Sequence, residues 1–310
     1  SFRKICGKFL VAVRFANCHA ALRKNKNNKN NPSEYFALSD TSALVLLWLS
    51  DGFFETETAR DYVRGLDKSA GLPLYRTGSA VWPHYGEVIT NRKYAIRHLA
   101  QRHRRPQIII AGAGLDAMGV ELAGLLDGVT IFEIDRADMQ AKQKMIEASD
   151  KRAKEPFHER SQLVCVSADL TAPEHCLAQL ENAGWQAARP SLLILEGISY
   201  YLGPAQLTDL VGALQPACII GDILLPDEGL NGEAACISND VFGAVEAACD
   251  LPPVTHYSGA QLADILDYAL SEQWPMERIE KRRTARLHYF APPFQGWIEV
   301  VVLAGKENPT

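Results

Sequence analysis

Two glycines, Gly112 and Gly114, separate a β-branched run (Ile108, Ile109, Ile110) from a stretch in which Val120, Leu122, Leu125 and Leu126 recur at helical spacing. A second apolar run, Val129 to Ile134, contains the acid Glu133 and is followed at once by another, Asp135. The separation from Gly114 to these acids is about the ~20 residues expected between a phosphate- or adenosine-binding turn and a ribose-binding carboxylate. Each residue type suits that chemistry. A glycine turn bends sharply and lets a ligand approach the backbone. The helix that starts there points unpaired N–H groups at whatever lies above it. An acid ending the next strand can accept hydrogen bonds from a ribose diol. The stretch therefore predicts an adenosine-containing cofactor. A dinucleotide and S-adenosylmethionine both fit a Gly-x-Gly turn, and the alternative is an α/β crossover with small residues for packing.

The elements that must position these residues can be read on either side. From residue 32 to 105 the pattern is helical: Ser39-Asp40-Thr41 offers an N-cap before Ala43 to Leu49, a second helix covers Thr56 to Leu66, Gly71-Leu72-Pro73 reads as a turn, and a helix runs from Val88 to Arg102. These form a helical cap placed before the sheet. Residues 106–310 read as the cofactor-binding domain. After Asp135 comes a charged helix, Ala137 to Ala153, whose lysines (Lys142, Lys144, Lys151, Lys154) read as a solvated face. Strands follow at Gln162 to Ser167, Ser191 to Leu195 and Ala217 to Leu224, with helices at Pro173 to Ala183 and Pro204 to Leu214 between them. The run Ser191 to Leu195 is wholly apolar, as in a buried parallel sheet, and ends in Glu196. Residues 226–255 read as a lid inserted over the site, and two strands, Thr284 to Phe290 and Gly296 to Gly305, close the chain. The whole is an α/β fold with a seven-stranded, mostly parallel sheet and a terminal antiparallel hairpin.

Composition narrows the function. A formal net charge of −5 gives no reason to expect nucleic acid as a partner. Seven scattered cysteines, an odd number with no Cys-x-x-Cys pair, favour reduced thiols and a cytoplasmic setting over a disulfide framework or a zinc site. No apolar run approaches the length of a membrane span. Residues 1–31 are basic, with no acid before Glu34, and end in the polar run Lys24 to Asn31. They read as a short helix or arm and a linker, with a targeting peptide as the alternative. The missing initiator Met leaves room for a longer parent polypeptide; homo-oligomers stay open too.

Five parallel strands closed by an antiparallel hairpin are the form of Rossmann-like, class I methyltransferases that use S-adenosylmethionine. Four blocks sharpen this: Gln107 to Asp116 (QIIIAGAGLD), Phe132 to Asp135 (FEID), Ser167 to Leu170 (SADL) and Pro190 to Leu202 (PSLLILEGISYYL). In their order and spacing the chain resembles the leucine carboxyl methyltransferase family, including bacterial relatives that methylate small molecules. The resemblance implies that Gly112 and Gly114 cradle the methionine part of the cofactor and that Asp135 binds the ribose hydroxyls. It also implies that Asp169 and Leu170 hold the adenine, that Glu196 lies beside the amino-acid end, and that Arg92 pairs with the cofactor carboxylate. Phosphatase-methylating members carry a lysine near the start of the first cap helix, where this chain has Ser39-Asp40-Thr41. A small-molecule acceptor is therefore expected in preference to a protein C-terminus.

The expected reaction is O-methylation. A carboxylate acceptor is already ionised and needs no base, whereas a hydroxyl acceptor needs one. His84 and His256 are the candidate bases, and Tyr201, just beyond Glu196, is the candidate acceptor-facing side chain. An NAD(P)-dependent oxidoreductase and a non-catalytic domain of a larger assembly are the alternatives.

Overall fold

A computed structural model describes residues 36–37, 40–49, 53–83, 85–224, 239–244, 246–247, 255, 257 and 299–305. Among them a six-stranded sheet runs in the order β5-β4-β3-β6-β7-β8. Its strands are β3 (Gln107–Ala111), β4 (Thr130–Asp135), β5 (Gln162–Ser167), β6 (Ser191–Leu195), β7 (Cys218–Leu224) and β8 (Glu299–Gly305). β3 to β7 are parallel, and β8 pairs antiparallel with β7. This differs from the seven strands read in the sequence. The described sheet has six, and the stretch 284–290 lies outside the described residues, as do 1–31 and most of the lid segment. A separate two-residue parallel pair joins β1 (Phe36–Ala37) to β2 (Leu66–Asp67).

The strand order reverses between β3 and β6: β4 and β5 lie on one side, β7 and β8 on the other. That switch opens a crevice at the carboxyl ends of β3 and β6, where ligands of open α/β sheets bind. The register puts the chemistry there. Ala111 lies opposite Ile134 and Leu195, and Leu195 lies opposite Gly221. The residues one step on, Gly112, Asp135, Glu196 and Asp222, therefore share the same edge of the sheet.

The central strands β3, β6 and β7 are buried along their whole length, which is why they are largely apolar. Ile108, Ile109, Phe132, Leu192, Leu193 and Ile194 are fully buried, each contributing roughly 1.5–3 kcal/mol of hydrophobic stabilisation. Helix α5 (Met118–Leu125) crosses from β3 to β4 with Val120 and Leu122 buried. Helices α6 (Met139–Arg152), α7 (Pro173–Asn182) and α8 (Pro204–Leu214) make the later crossovers. α7 and α8 both carry proline in the first turn, where its missing N–H costs nothing.

Four helices precede β3: α1 (Asp40–Trp48), α2 (Glu57–Arg64), α3 (Leu72–Val81) and α4 (Tyr85–Arg102). Helix α2 is capped by Thr56, whose side chain accepts from the Ala59 N–H. The reading of Gly71-Leu72-Pro73 as a turn is corrected. A 3-10 turn at Ser69–Gly71 runs straight into α3, because proline is tolerated in a first helical turn and here starts the helix instead of ending one. Gly71 abuts the backbone of Ala43 and Leu44, so α1 and this turn pack without side chains between them.

The cap is tied down by one buried carboxylate. Glu121, on α5, accepts from the backbone N–H groups of Glu55 (2.7 Å) and Thr56 (3.1 Å) and from the Thr56 hydroxyl (2.8 Å). It also pairs with Arg97 of α4 at 2.7 Å. Arg97 in turn donates to the Phe53 carbonyl (2.8 Å) and lies over the Phe53 and Tyr94 rings. Among the described residues no helix is long and apolar enough to cross a membrane, and no group of three or more His, Cys, Asp or Glu is placed to hold a metal ion.

Candidate active site

The glycine turn after β3 is left-handed at Gly112 (φ 68°) and Gly114 (φ 48°). Space as well as conformation excludes a side chain at Gly112, where a Cβ would lie 2.7 Å from Ile198 Cγ1. The residue beyond β6 thus leans directly on the turn. At Gly114 a Cβ would meet Ser42 Oγ of α1 at 3.0 Å, so the cap reaches the turn from above. Gly112→Ala is expected to cost about 1–3 kcal/mol, from the left-handed backbone and the clash together. Urea unfolding would measure it. Adding Ile198→Ala should return only the steric part, and full recovery would show that the backbone there carries no strain.

Asp135, at the end of β4, fixes the turn from the side. Its Oδ2 accepts from the Gly114 N–H at 2.9 Å, and its Oδ1 from the Arg136 N–H at 2.7 Å. The side chain keeps partial exposure toward the crevice rim. From below, the turn is held by Lys142, whose Nζ donates to the Gly114 carbonyl (2.9 Å) and pairs with Glu133 (2.8 Å). This corrects the reading of that lysine run as one solvated face. Lys144, Lys151 and Lys154 are exposed, but Lys142 is fully buried, because the strand acid Glu133 needs a counter-ion inside the fold. Burial raises the Glu133 pKa above its ordinary value, and the Lys142 charge opposes that rise.

Asp169 and Leu170 follow β5, with Leu170 buried and Asp169 partly open. Asp169 accepts from the Thr171 hydroxyl (2.7 Å) and N–H (2.9 Å), and these bonds lower its pKa. The loop is thereby fixed with its carboxylate ionised at the rim of the same edge.

The densest charge lies between α4 and the strand ends. Arg92 and Lys93 are neighbours on α4 and both almost fully buried. Arg92 lies 3.5 Å from Glu196 and 3.1 Å from Asp222. Lys93 Nζ lies 2.7 Å from Glu196 Oε1 and 2.6 Å from Asp116 Oδ2. Asp222 Oδ1 also accepts from the Gly197 N–H at 2.7 Å, which orients the turn after Glu196. Burial drives the Asp116 pKa up, but Lys93 outweighs it, and the carboxyl ends below its ordinary value. Glu196 goes the other way: burial raises it, and the share it has of Lys93 and Arg92 does not bring it back. Lys93, between two carboxylates, is held charged against its burial.

The structure therefore brings Gly112, Gly114, Asp135, Glu196 and Arg92 to one edge, with Asp169 and Leu170 at the end of the outer strand β5. Tyr201 lies in a 3-10 turn, Ser199–Tyr201, its ring centroid 4.8 Å from that of Tyr200. It packs partly buried against a cluster that includes Trp82, Tyr85, Tyr200 and Phe242. His84 and His256 lie outside the described residues. Sequence reasoning missed Lys93, Asp116 and Asp222 as members of the charge cluster. The signal for Asp222 was available: it is an acid within the otherwise apolar run Cys-Ile-Ile-Gly-Asp-Ile-Leu, the same argument that singled out Glu196.

A parallel sheet with its switch point between β3 and β6, a glycine turn beside it and acids on successive strand ends define a Rossmann-like nucleoside-binding fold. The family model for leucine carboxyl methyltransferase matches residues 56–215, just over half of the chain, and the chain belongs to that family. A protein of Mycobacteroides abscessus, provisionally named an S-adenosyl-L-methionine-dependent methyltransferase, is 28% identical over 164 residues, 47% of this chain and 51% of that protein. The chain thus spans about half the length of this curated relative. The fold is similar to a crystal structure from Thermobifida fusca, provisionally described as a methyltransferase, with a TM-score of 0.52 and 17% identity over 83% of this chain and 97% of that one.

Proposed function

We propose that this protein is an S-adenosylmethionine-dependent O-methyltransferase acting on a carboxylate or hydroxyl of a small molecule. The observation that carries the reading is the buried cluster of Arg92, Lys93, Asp116, Glu196 and Asp222 beside a left-handed glycine turn. Three of its carboxylate oxygens, Glu196 Oε1 and Oε2 and Asp116 Oδ1, are buried with no hydrogen-bond partner among the described residues, although Oε1 lies 2.7 Å from Lys93 Nζ. Orphaned buried acceptors are costly unless a ligand meets them. An amino-acid end, with an ammonium for the carboxylates and a carboxylate for Arg92, fits this group as it would not fit a nicotinamide. Gly112 and Gly114 supply the left-handed turn at which the cofactor would lie, Asp135 offers its carboxylate for a ribose, and Asp169 with Leu170 serves the adenine.

S-adenosylmethionine supplies an electrophilic methyl on a sulfonium. The chain's own residues hold it, orient the acceptor behind it and exclude water. The aromatic group around Tyr200 supplies the apolar wall on that side, and Tyr201 is our acceptor-facing residue. The family description, a carboxyl methyltransferase, favours oxygen as the atom methylated.

Calorimetric titration with S-adenosylhomocysteine, with NAD in parallel, tests the class. Binding of S-adenosylhomocysteine and not of NAD is expected, and NAD binding alone would overturn the reading. Transfer of labelled methyl to a panel of carboxylic acids and phenols then separates ester from ether products by their lability to base.

The raised pKa of Glu196 makes a further prediction. Its ionised form is the one that attracts an ammonium. As pH falls, Glu196 takes up its proton above the ordinary value of 4.5, before Asp116 does. S-adenosylhomocysteine affinity should therefore weaken on acidification while the chain is still folded, and binding near the midpoint should release a proton. Titration in buffers of different ionisation enthalpy would detect that release. An affinity flat from neutral pH down to the acid unfolding transition would show that Glu196 is not engaged.

A further inference from the structure

Glu196 and Asp116 are joined through one lysine. Lys93 Nζ takes Oε1 of Glu196 at 2.7 Å and Oδ2 of Asp116 at 2.6 Å. Glu196 Oε2 and Asp116 Oδ1 are buried and have no hydrogen-bond partner among the described residues, and Glu196 Oε1 has the Lys93 ion pair but no hydrogen bond. The Glu196 side chain is only 6% exposed. Two acceptors brought side by side by one buried cation, each with its second oxygen unused, call for a second cationic donor.

The charge count says the same. Among the described residues the cluster holds two cations, Arg92 and Lys93, against three carboxylates, Asp116, Glu196 and Asp222. Lys142 is engaged with Glu133 and the Gly114 carbonyl. One positive charge is lacking, and a buried excess charge is expensive until it is matched.

From this geometry we infer that Asp116 is a second carboxylate of an ammonium receptor, acting with Glu196 on the amino group of the cofactor, and that Lys93 is the internal counter-ion that holds the two carboxylates at that spacing. The inference rests on the cofactor reading above and goes beyond it by assigning Asp116 and Lys93. Asp116 follows the glycine turn by two residues, so the receptor is built from the turn (Asp116), the end of β6 (Glu196) and α4 (Lys93). Three separate elements must be in place before it forms. Arg92 lies 3.5 Å from the same Glu196 oxygen and 3.1 Å from Asp222, and keeps the role given it above toward the carboxylate of the same amino-acid end.

Four ligands isolate the contact: S-adenosylhomocysteine, its decarboxylated form (ammonium only), its desamino form (carboxylate only) and methylthioadenosine (neither). In Asp116→Asn the first two should bind roughly 10- to 100-fold more weakly, the range for losing a hydrogen bond to a charged group. The desamino form and methylthioadenosine should bind as they do to the wild type, which also shows the variant to be folded. Asp116→Glu should recover part of the loss for the two ammonium-bearing ligands alone. Equal affinity of variant and wild type for all four, or a loss shared by all four, would overturn the assignment. Wild-type protein that binds neither S-adenosylhomocysteine nor methylthioadenosine would remove the cofactor reading itself, and this inference with it.

Discussion

Asp135→Ala should lower S-adenosylhomocysteine affinity by about 100-fold or more, the effect of removing two hydrogen bonds from a ribose to a charged acceptor. The same side chain also receives the Gly114 and Arg136 N–H groups at 2.9 and 2.7 Å. Its loss therefore loosens the turn as well as deleting the ribose contact. The stability cost should be smaller, about 1–2 kcal/mol, because the side chain is partly exposed and water can replace it on the backbone. Asp135→Asn separates the two roles. The amide oxygen can still accept from the turn, while the charge is gone, so stability should return further than affinity. Calorimetry and urea unfolding on the same samples give both numbers. Wild-type affinity in Asp135→Ala would sink the ribose assignment.

Glu121→Ala, on α5, should loosen the cap at a cost of about 3–5 kcal/mol, the usual loss when one partner of a buried ion pair is removed. Arg97 would be left buried beside Phe53 with only the exposed Glu55 carboxylate as its ion-pair partner among the described residues, and three donors at the start of α2 would lose their acceptor. The urea midpoint reports this directly. Arg97→Met in the same chain should recover part of the loss, since the orphaned charge is then absent. Additive losses from the two substitutions would mean that the pair is not a unit. The effect should also reach the site, because Arg97 stands one turn beyond Arg92 and Lys93 on α4 and fixes that helix against α5.

The parallel sheet was legible because its strands are mostly apolar and bounded by turn residues. Gln162 to Ser167 and Ser191 to Leu195 have the same bounds in sequence and structure. The helix at Leu72–Val81 was not, since Leu-Pro after glycine looks like a turn until its neighbours show it to be a first turn of helix. The glycine turn and the acids after β4, β5 and β6 could be marked as candidates, because each interrupts an apolar pattern. Their common edge follows from the register. The buried counter-ions were hidden for a different reason. Lys93 and Lys142 sit in helices with other charged residues, and composition alone cannot distinguish a lysine turned inward from one in water. What turns them inward is a partner distant in the chain, Glu196 for the first and Glu133 for the second.

The turn after β6 is fastened to a part of the chain far beyond it. Thr255 donates its N–H to the Tyr200 carbonyl at 2.7 Å, and the Tyr257 hydroxyl shares its one proton between the carbonyls of Ser199 (2.7 Å) and Leu202 (2.9 Å). Leu224, at the end of β7, is fixed as well, by its pairing with Glu299. Both ends of the intervening chain are thus anchored by the body of the fold. Between those anchors Val241 and Phe242 are buried in the aromatic cluster, with the Phe242 ring centroid 5.4 Å from that of Tyr200. Under the proposed function, the acceptor wall is thus built from segments before and after β7 and the glycine turn from others, so acceptor preference can change without altering the grip on the methyl donor.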